Sequence, residues 1–191
     1  MSLRDSVLGT FSFGIPELSG LKFSRHLSSV DIGGGESRFV DYLIENGFNN
    51  ISILDISENA INRVRERLGK NSKRINWIIT DINDFNPKIK YSFWHDRALF
   101  HFLTEKKQIK RYTEIVNSYA RNFLVGTFSK LGPSKCSGLD IRQYDKNSLE
   151  KLFCFGNLMM KECEYINHVT PFKTIQNFIF CSFSSKSTIE K

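Results

Sequence analysis

The chemistry-bearing residues of this chain fall in a few short stretches. In Asp31-Ile32-Gly33-Gly34-Gly35-Glu36-Ser37-Arg38, three consecutive glycines follow an acid. Glycines let a backbone turn tightly and approach a nucleotide-like ligand closely. Asp55 lies 20 residues beyond Gly35. A carboxylate at that spacing can accept two ribose hydroxyls in charge-assisted hydrogen bonds. A second stretch, Trp94-His95-Asp96-Arg97, with His101 six residues past His95, brings together proton-transfer groups and a guanidinium. His95 or Asp96 suits proton removal or the orienting of an amine, and Arg97 suits clamping an acidic group. The alternative is structural: Asp96 caps the following helix and Arg97 pairs with a neighbouring carboxylate. His101 is either a base or a packed histidine.

A dinucleotide fingerprint, G-x-G-x-x-G, needs a third glycine where Arg38 stands when counted from Gly33 and Gly35. Asp31 suits a ligand with a cationic amino group better than a pyrophosphate. The pattern therefore favours S-adenosylmethionine, which carries an ammonium and a sulfonium, over a nicotinamide dinucleotide.

These residues need elements to position them. Ser28 to Ile32 is a short apolar run before the glycines, and Ser37 to Asn46 carries Phe39, Val40, Leu43 and Ile44 at helical spacing. Ile51 to Ile56 reads as a buried strand, and Glu58 to Gly69 as a helix with Ala60, Ile61, Val64 and Leu68 inward. Strands are predicted at Ile75–Thr80, Tyr91–His95 and Asn122–Phe128, with a long helix capped by Thr104 from Glu105 to about Arg121. A helix at Asp145–Phe153 precedes strands at Glu162–Val169 and Thr174–Phe183, joined by a short hairpin connection. Alternation of this kind makes parallel βαβ units, here closed by an antiparallel hairpin.

The whole pattern resembles the class I S-adenosylmethionine-dependent methyltransferases. Asp31 to Ser37 looks like their first motif, with Ser37 in place of its last glycine. Ile53-Leu54-Asp55-Ile56-Ser57 looks like the second, which implies Asp55 on the ribose and Ile56 against adenine. Thr80-Asp81-Ile82 looks like the third, which implies Asp81 accepting from the adenine amino group with Ile82 nearby. Trp94-His95-Asp96-Arg97 occupies the fourth-motif position, opening onto the reactive methyl, and is similar to that of a small bacterial group distantly like the protein-lysine methyltransferases. The resemblance implies an α/β, Rossmann-like seven-stranded sheet, mostly parallel, with a C-terminal antiparallel hairpin. It implies a cofactor site of Asp31, Gly33, Gly34, Gly35, Ser37, Asp55, Ile56, Asp81, Ile82 and His95; the residues expected to act in catalysis, from their types and their place beyond a strand end, are His95, Asp96, Arg97 and His101. The expected division is an N-terminal segment over 1–27, a partial lid; a methyltransferase domain over 28–183; and a flexible tail over 184–191. Alternatives from other classes are a cofactor binder without catalysis and an NAD-dependent oxidoreductase.

Length and composition set limits. A chain of 191 residues with 40% hydrophobic and 25% charged residues is globular, and 17 Phe, 6 Tyr and 2 Trp can build a substantial core. No run approaches the length of a membrane span. Cys136, Cys154, Cys163 and Cys181 form no C-x-x-C pair, so no metal site is expected. All four are expected to be reduced thiols in a cytoplasmic protein. The net charge of +7 sits in runs such as Arg63, Arg65, Arg67, Lys70, Lys73 and Arg74, read as solvated faces. No N-P-P-like tetrapeptide follows the fourth strand. The acceptor is expected to be a protein side chain or a small molecule, not nucleic acid, and the oligomeric state is unreadable.

Overall fold

The computed structural model describes residues 26–170 and 173–186. The expected calls on a lid in the first 25 residues and on the last five residues lie outside that range. Four parallel strands, β1 (Ser29–Ile32), β2 (Ile51–Asp55), β3 (Ile75–Ile79) and β4 (Tyr91–Arg97), lead into β5 (Ala120–Phe128). A two-residue pair, β6 (Lys135–Cys136) and β7 (Leu139–Asp140), follows, and β8 (Leu158–Val169) and β9 (Ile175–Ser185) close the chain. The sheet has seven strands in the order β3-β2-β1-β4-β5-β9-β8. β9 is antiparallel to both β5 and β8.

Helices α1 (Phe39–Glu45) and α2 (Glu58–Leu68) cover one face, where Phe39, Val40, Leu43, Ile61 and Val64 bury against Ile51, Ile53 and Ile75. Helices α3 (Lys106–Tyr119) and α4 (Lys146–Phe153) cover the other, an aromatic core built on Trp94, Phe100, Tyr112, Phe123 and Phe153. Caps fix the helix ends. Ser57 accepts from Ala60 N at the start of α2, and Asp145 accepts from Ser148 N at the start of α4. At α3 the cap is Glu105 rather than Thr104, with Glu105 N donating to Gln108 Oε1. That reciprocal pairing is available to a Glu-x-x-Gln spacing and not to Thr104.

Several boundaries differ from those the sequence predicts, chiefly in β4, β8 and β9. β4 runs on through Asp96 and Arg97. β8 starts at Leu158, with a bulge between Met160 and Glu162. β9 extends through the buried Ser184 and Ser185, so the boundary expected at Phe183 moves to Ser185. The expectation of four free thiols is also corrected. Cys163 and Cys181 face each other across the β8–β9 ladder and form a disulfide, while Cys136 and Cys154 are free. The thiols therefore carry no argument for a reducing compartment.

Candidate active site

The carboxyl ends of β1, β2, β3 and β4 meet at one edge of the sheet, where ligand clefts of open α/β folds lie. The glycine turn leaves β1 there. Gly33 has φ +70, the left-handed conformation that glycine adopts without strain, and Gly33 N donates to Leu54 O. Beyond it the backbone is packed to the limit. A Cβ on Gly34 would lie 2.7 Å from Asp31 Oδ2, and one on Gly35 would lie 2.5 Å from Asp55 Oδ2. Ser37 ends the turn, its Oγ accepting from Phe39 N at the start of α1.

Asp31 and His95 occupy opposed positions in the β1–β4 ladder. His95 Nδ1 lies 2.6 Å from Asp31 Oδ1, with both side chains nearly sealed from water. A carboxylate only accepts, so Nδ1 carries the shared proton. Asp31 Oδ2 is buried and has no hydrogen-bond partner. It faces the glycine turn, at the place where a Gly34 side chain would sit. Asp55 at the end of β2 accepts from Gly35 N and Ser57 N, one on each oxygen, both at 2.8 Å. Each oxygen keeps further accepting capacity. Beside it the Ile56 side chain is 67% exposed, an apolar surface waiting for cover. Asp81 Oδ1 accepts from Asn83 N and Nδ2, which shapes the turn after β3, while Ile82 is buried in the main core. The glycine cradle, the donorless Asp31 oxygen and the exposed Ile56 fit an adenosyl ligand with an ammonium group.

The fourth-motif residues separate by strand alternation. His95 and Arg97 share the Asp31 side of β4. Trp94 and Asp96 point into the α3 side, where Asp96 is wholly buried. Asp96 Oδ1 accepts from Leu99 N and Phe100 N, and Tyr112 Oη donates to Oδ2 while accepting from Trp94 Nε1. Burial raises the Asp96 carboxyl to about 6, against the pull of these donors. Asp96 thus caps the turn that follows β4, the structural alternative open to it in the sequence. His101 lies in that turn, buried, stacked on Phe128 at 4.7 Å with neither ring nitrogen bonded. Burial lowers it to about 4, so it is neutral at pH 7. The structure brings together Asp31, His95, Arg97, Asp55 and the glycines; it places Asp96, His101 and Ile82 behind them in the core.

Several positioning residues carry no sequence signature. Leu99 lies against Gly33, 3.1 Å from where a Cβ would be. Ala98 holds φ +68, and its N–H donates to Gly126 O. Arg67 donates to both Ser37 O and Asp41, and Arg63 pairs with Glu36, so α2 is tied to the glycine turn. Two members of the basic run are thereby engaged, and Arg65 lies over Trp77. A surface cavity of about 380 Å³ outside α4, lined by Asn147, Glu150, Lys151, Cys154 and Phe155, shares no residue with this cleft. Among the described residues no cluster of three metal-ligating side chains occurs, and no helix is long and apolar enough to cross a membrane.

Residues 30–121 match the family described as methyltransferase domain. Malonyl-(acyl-carrier protein) O-methyltransferase 2 of Ilyobacter polytropus is 28% identical over 102 residues, covering 53% of this chain and 39% of the relative. Among solved structures, the N-methyltransferase NodS of Bradyrhizobium japonicum superimposes with a TM-score of 0.71 at 14% identity, covering 95% of each chain. The complex of that enzyme with S-adenosylhomocysteine gives a TM-score of 0.69 at 14% identity, over 96% of this chain and 87% of that one. An S-adenosylmethionine-dependent methyltransferase from Mesorhizobium loti gives 0.68 at 15% identity, over 88% of this chain and 96% of that one. The fold is the Rossmann-like seven-stranded sheet of these enzymes. Fold, glycine turn and family match support a class I S-adenosylmethionine-dependent methyltransferase domain.

Proposed function

We propose that the protein transfers a methyl group from S-adenosylmethionine to a protein side chain or a small molecule. The observation that carries this reading is Asp31, whose buried Oδ2 faces the glycine turn without a donor. A buried acceptor left unpaired costs about 1–3 kcal/mol, and a ligand ammonium over Gly34 supplies the missing donor. Asp55, oriented by Gly35 N and Ser57 N, takes the ribose hydroxyls. Ile56 covers the adenine and Asp81 accepts from its amino group, with Ile82 supporting that turn from the core. Gly33, Gly34, Gly35 and Ser37 provide the close backbone.

Bound there, the cofactor would supply an electrophilic methyl on its sulfonium: the acceptor's nucleophile would take the methyl as the S–CH3 bond breaks, and the neutral thioether S-adenosylhomocysteine would leave. The chain's own contribution is chiefly positional, because holding two groups in line can remove several kcal/mol from a barrier. His95 receives the proton of a protic nucleophile at Nε2, since Nδ1 is fixed on Asp31. Asp31 then stabilises the imidazolium as it forms, as a buried carboxylate does for a catalytic histidine elsewhere. Asp96 and Tyr112 hold the turn carrying Leu99 against Gly33.

Calorimetric titration of the chain with S-adenosylhomocysteine and with NAD tests the cofactor site. S-adenosylhomocysteine is expected to bind and NAD not. Asp55→Ala is expected to weaken binding by about 1–3 kcal/mol, or about 5- to 150-fold. Unchanged affinity in that variant overturns the ribose assignment. Transfer of tritium from labelled cofactor into a lysate separates an enzyme from a pure binder.

A further inference from the structure

Arg97 has a position that the cofactor site does not use. It ends β4 on the same face as His95 and Asp31, level with Gly126 of β5, which is itself level with Phe180 of β9. Opposed residues of a ladder project from the same face, so Arg97 stands beside Phe180, whose ring lies over Gly126 in the space a Cβ there would fill. Phe180 belongs to an aromatic cluster with Phe128 and Phe178, against which Ala98 packs. The guanidinium makes no hydrogen bond or ion pair among the described residues. Asp31, the carboxylate whose charge acts on Arg97, has one oxygen on His95 and the other against the glycine turn. Burial pulls Arg97 below its ordinary value, with the Asp31 charge opposing. The Arg97 charge also reaches His168, on the outermost strand, adding to the burial that lowers that imidazole. The Arg97 charge is thus felt by Asp31 on β1 and by His168 on β8, which places the guanidinium between the glycine turn and the β9–β8 edge.

A largely buried cation without a partner is unfavourable until an anion joins it. A planar guanidinium with five donors matches a carboxylate in two parallel hydrogen bonds. We propose that the methyl acceptor is a small carboxylate-bearing molecule, anchored by Arg97 beside the Phe128–Phe178–Phe180 cluster. This deepens the methyltransferase reading above and rests on it for which end of the acceptor meets the methyl. His95 and Arg97 are two strand positions apart, roughly 6–7 Å from the strand rise per residue. The anchored carboxylate and the protic nucleophile of the acceptor are therefore close neighbours, as in an amino or hydroxy acid.

The test titrates the chain, saturated with S-adenosylhomocysteine, with glutamate, malonate, inorganic phosphate and the neutral diamide glutaramide. Glutamate or malonate is expected to bind at least tenfold more tightly than glutaramide. Arg97→Gln is expected to lose at least tenfold in that affinity and Arg97→Lys less, each keeping its affinity for S-adenosylhomocysteine within twofold. Arg97→Lys keeps the charge and guards against a folding defect in the other variant, checked by thermal unfolding. Three outcomes overturn the proposal: no carboxylate binds, a carboxylate binds both variants as it binds the parent, or phosphate alone binds. A tenfold loss of S-adenosylhomocysteine affinity in Arg97→Gln also overturns it and assigns the guanidinium to the cofactor's own carboxylate. Failure of the parent protein to bind S-adenosylhomocysteine refutes the cofactor reading instead, while carboxylate binding through Arg97 is still read in its absence.

Discussion

Replacing Gly35 by alanine probes the cradle most directly. The new Cβ would lie 2.5 Å from Asp55 Oδ2 and 2.7 Å from Ala60 Cβ. Non-bonded heavy atoms settle near about 3.5–4.0 Å, so each contact is short by about 1 Å. Ala60 sits in the first turn of α2, where its N–H is held by Ser57 Oγ, so it cannot retreat. Asp55 must move, and moving it breaks the bond that Gly35 N donates to Oδ2. Overpacking of this kind costs about 1–3 kcal/mol, and the lost bond adds about 1 kcal/mol. The expected loss is about 2–4 kcal/mol of unfolding free energy, read by urea denaturation. Because the ribose acceptor is displaced, S-adenosylhomocysteine is expected to bind at least tenfold more weakly. Gly69→Ala is the control: Gly69 has φ +53 and ψ −123 with nothing within 4 Å, so only backbone strain of about 1–3 kcal/mol applies. If Gly35→Ala bound the ligand like the parent and lost no more stability than Gly69→Ala, the reasoning from the cradle would be wrong.

Two buried groups make opposing predictions for stability against pH. Asp96 is raised from 3.8 to about 6, so its stabilising contribution is full below pH 4 and lost as pH rises through 6. His101 is lowered from 6.5 to about 4, so its contribution is full above pH 6.5 and lost as pH falls through 4. Each gap is worth about 3 kcal/mol, and the two slopes nearly cancel in the parent. Asp96→Asn is expected to leave the His101 slope, losing stability on acidification from pH 6.5 to 4, while His101→Phe leaves the opposite slope. Parallel profiles for both variants in urea unfolding would refute the assignment. Reduction of the disulfide, or Cys163→Ser with Cys181→Ala, reopens a loop of 18 residues. The loop-entropy relation predicts a loss of about 3 kcal/mol, measured as a lowered midpoint; an unchanged midpoint counts against it.

Much of the fold was legible because its signals are local. The strand–glycine–helix order, the Ser57 and Asp145 caps and the alternation of runs are each written within a dozen residues. The cofactor-side residues were legible for the same reason, since strand ends follow from strand order. What escaped the sequence depends on partners far along the chain. The predicted strand Tyr91–His95 stops short of Asp96 and Arg97, which β4 includes. Asp96 is held in the core by a donor from outside its own segment, the Tyr112 hydroxyl of α3. The cysteine pair depends on hairpin register. Val169 faces Ile175, which sets Cys163 opposite Cys181. The predicted strands, ending at Val169 and starting at Thr174, pair one residue away from that register, and a slip of one residue turns side chains to opposite faces. The conformation of Ala98 and the tie from Arg67 to Ser37 have no local code at all.

The outer strand has a consequence for handling the protein. β8 is 12 residues long and, among the described residues, pairs with β9 alone, so there one row of its backbone donors and acceptors lies at the margin of the sheet. Such a margin templates edge-to-edge association unless it is interrupted. Here the bulge between Met160 and Glu162 breaks the regular spacing where charged Lys161 and Glu162 are exposed, and the bridge to Cys181 pins what remains. Reductant added to protect the free thiols of Cys136 and Cys154 would remove that pin. Colloidal stability during concentration is then expected to depend on the redox state of the buffer, with dynamic light scattering showing larger particles in the reduced sample.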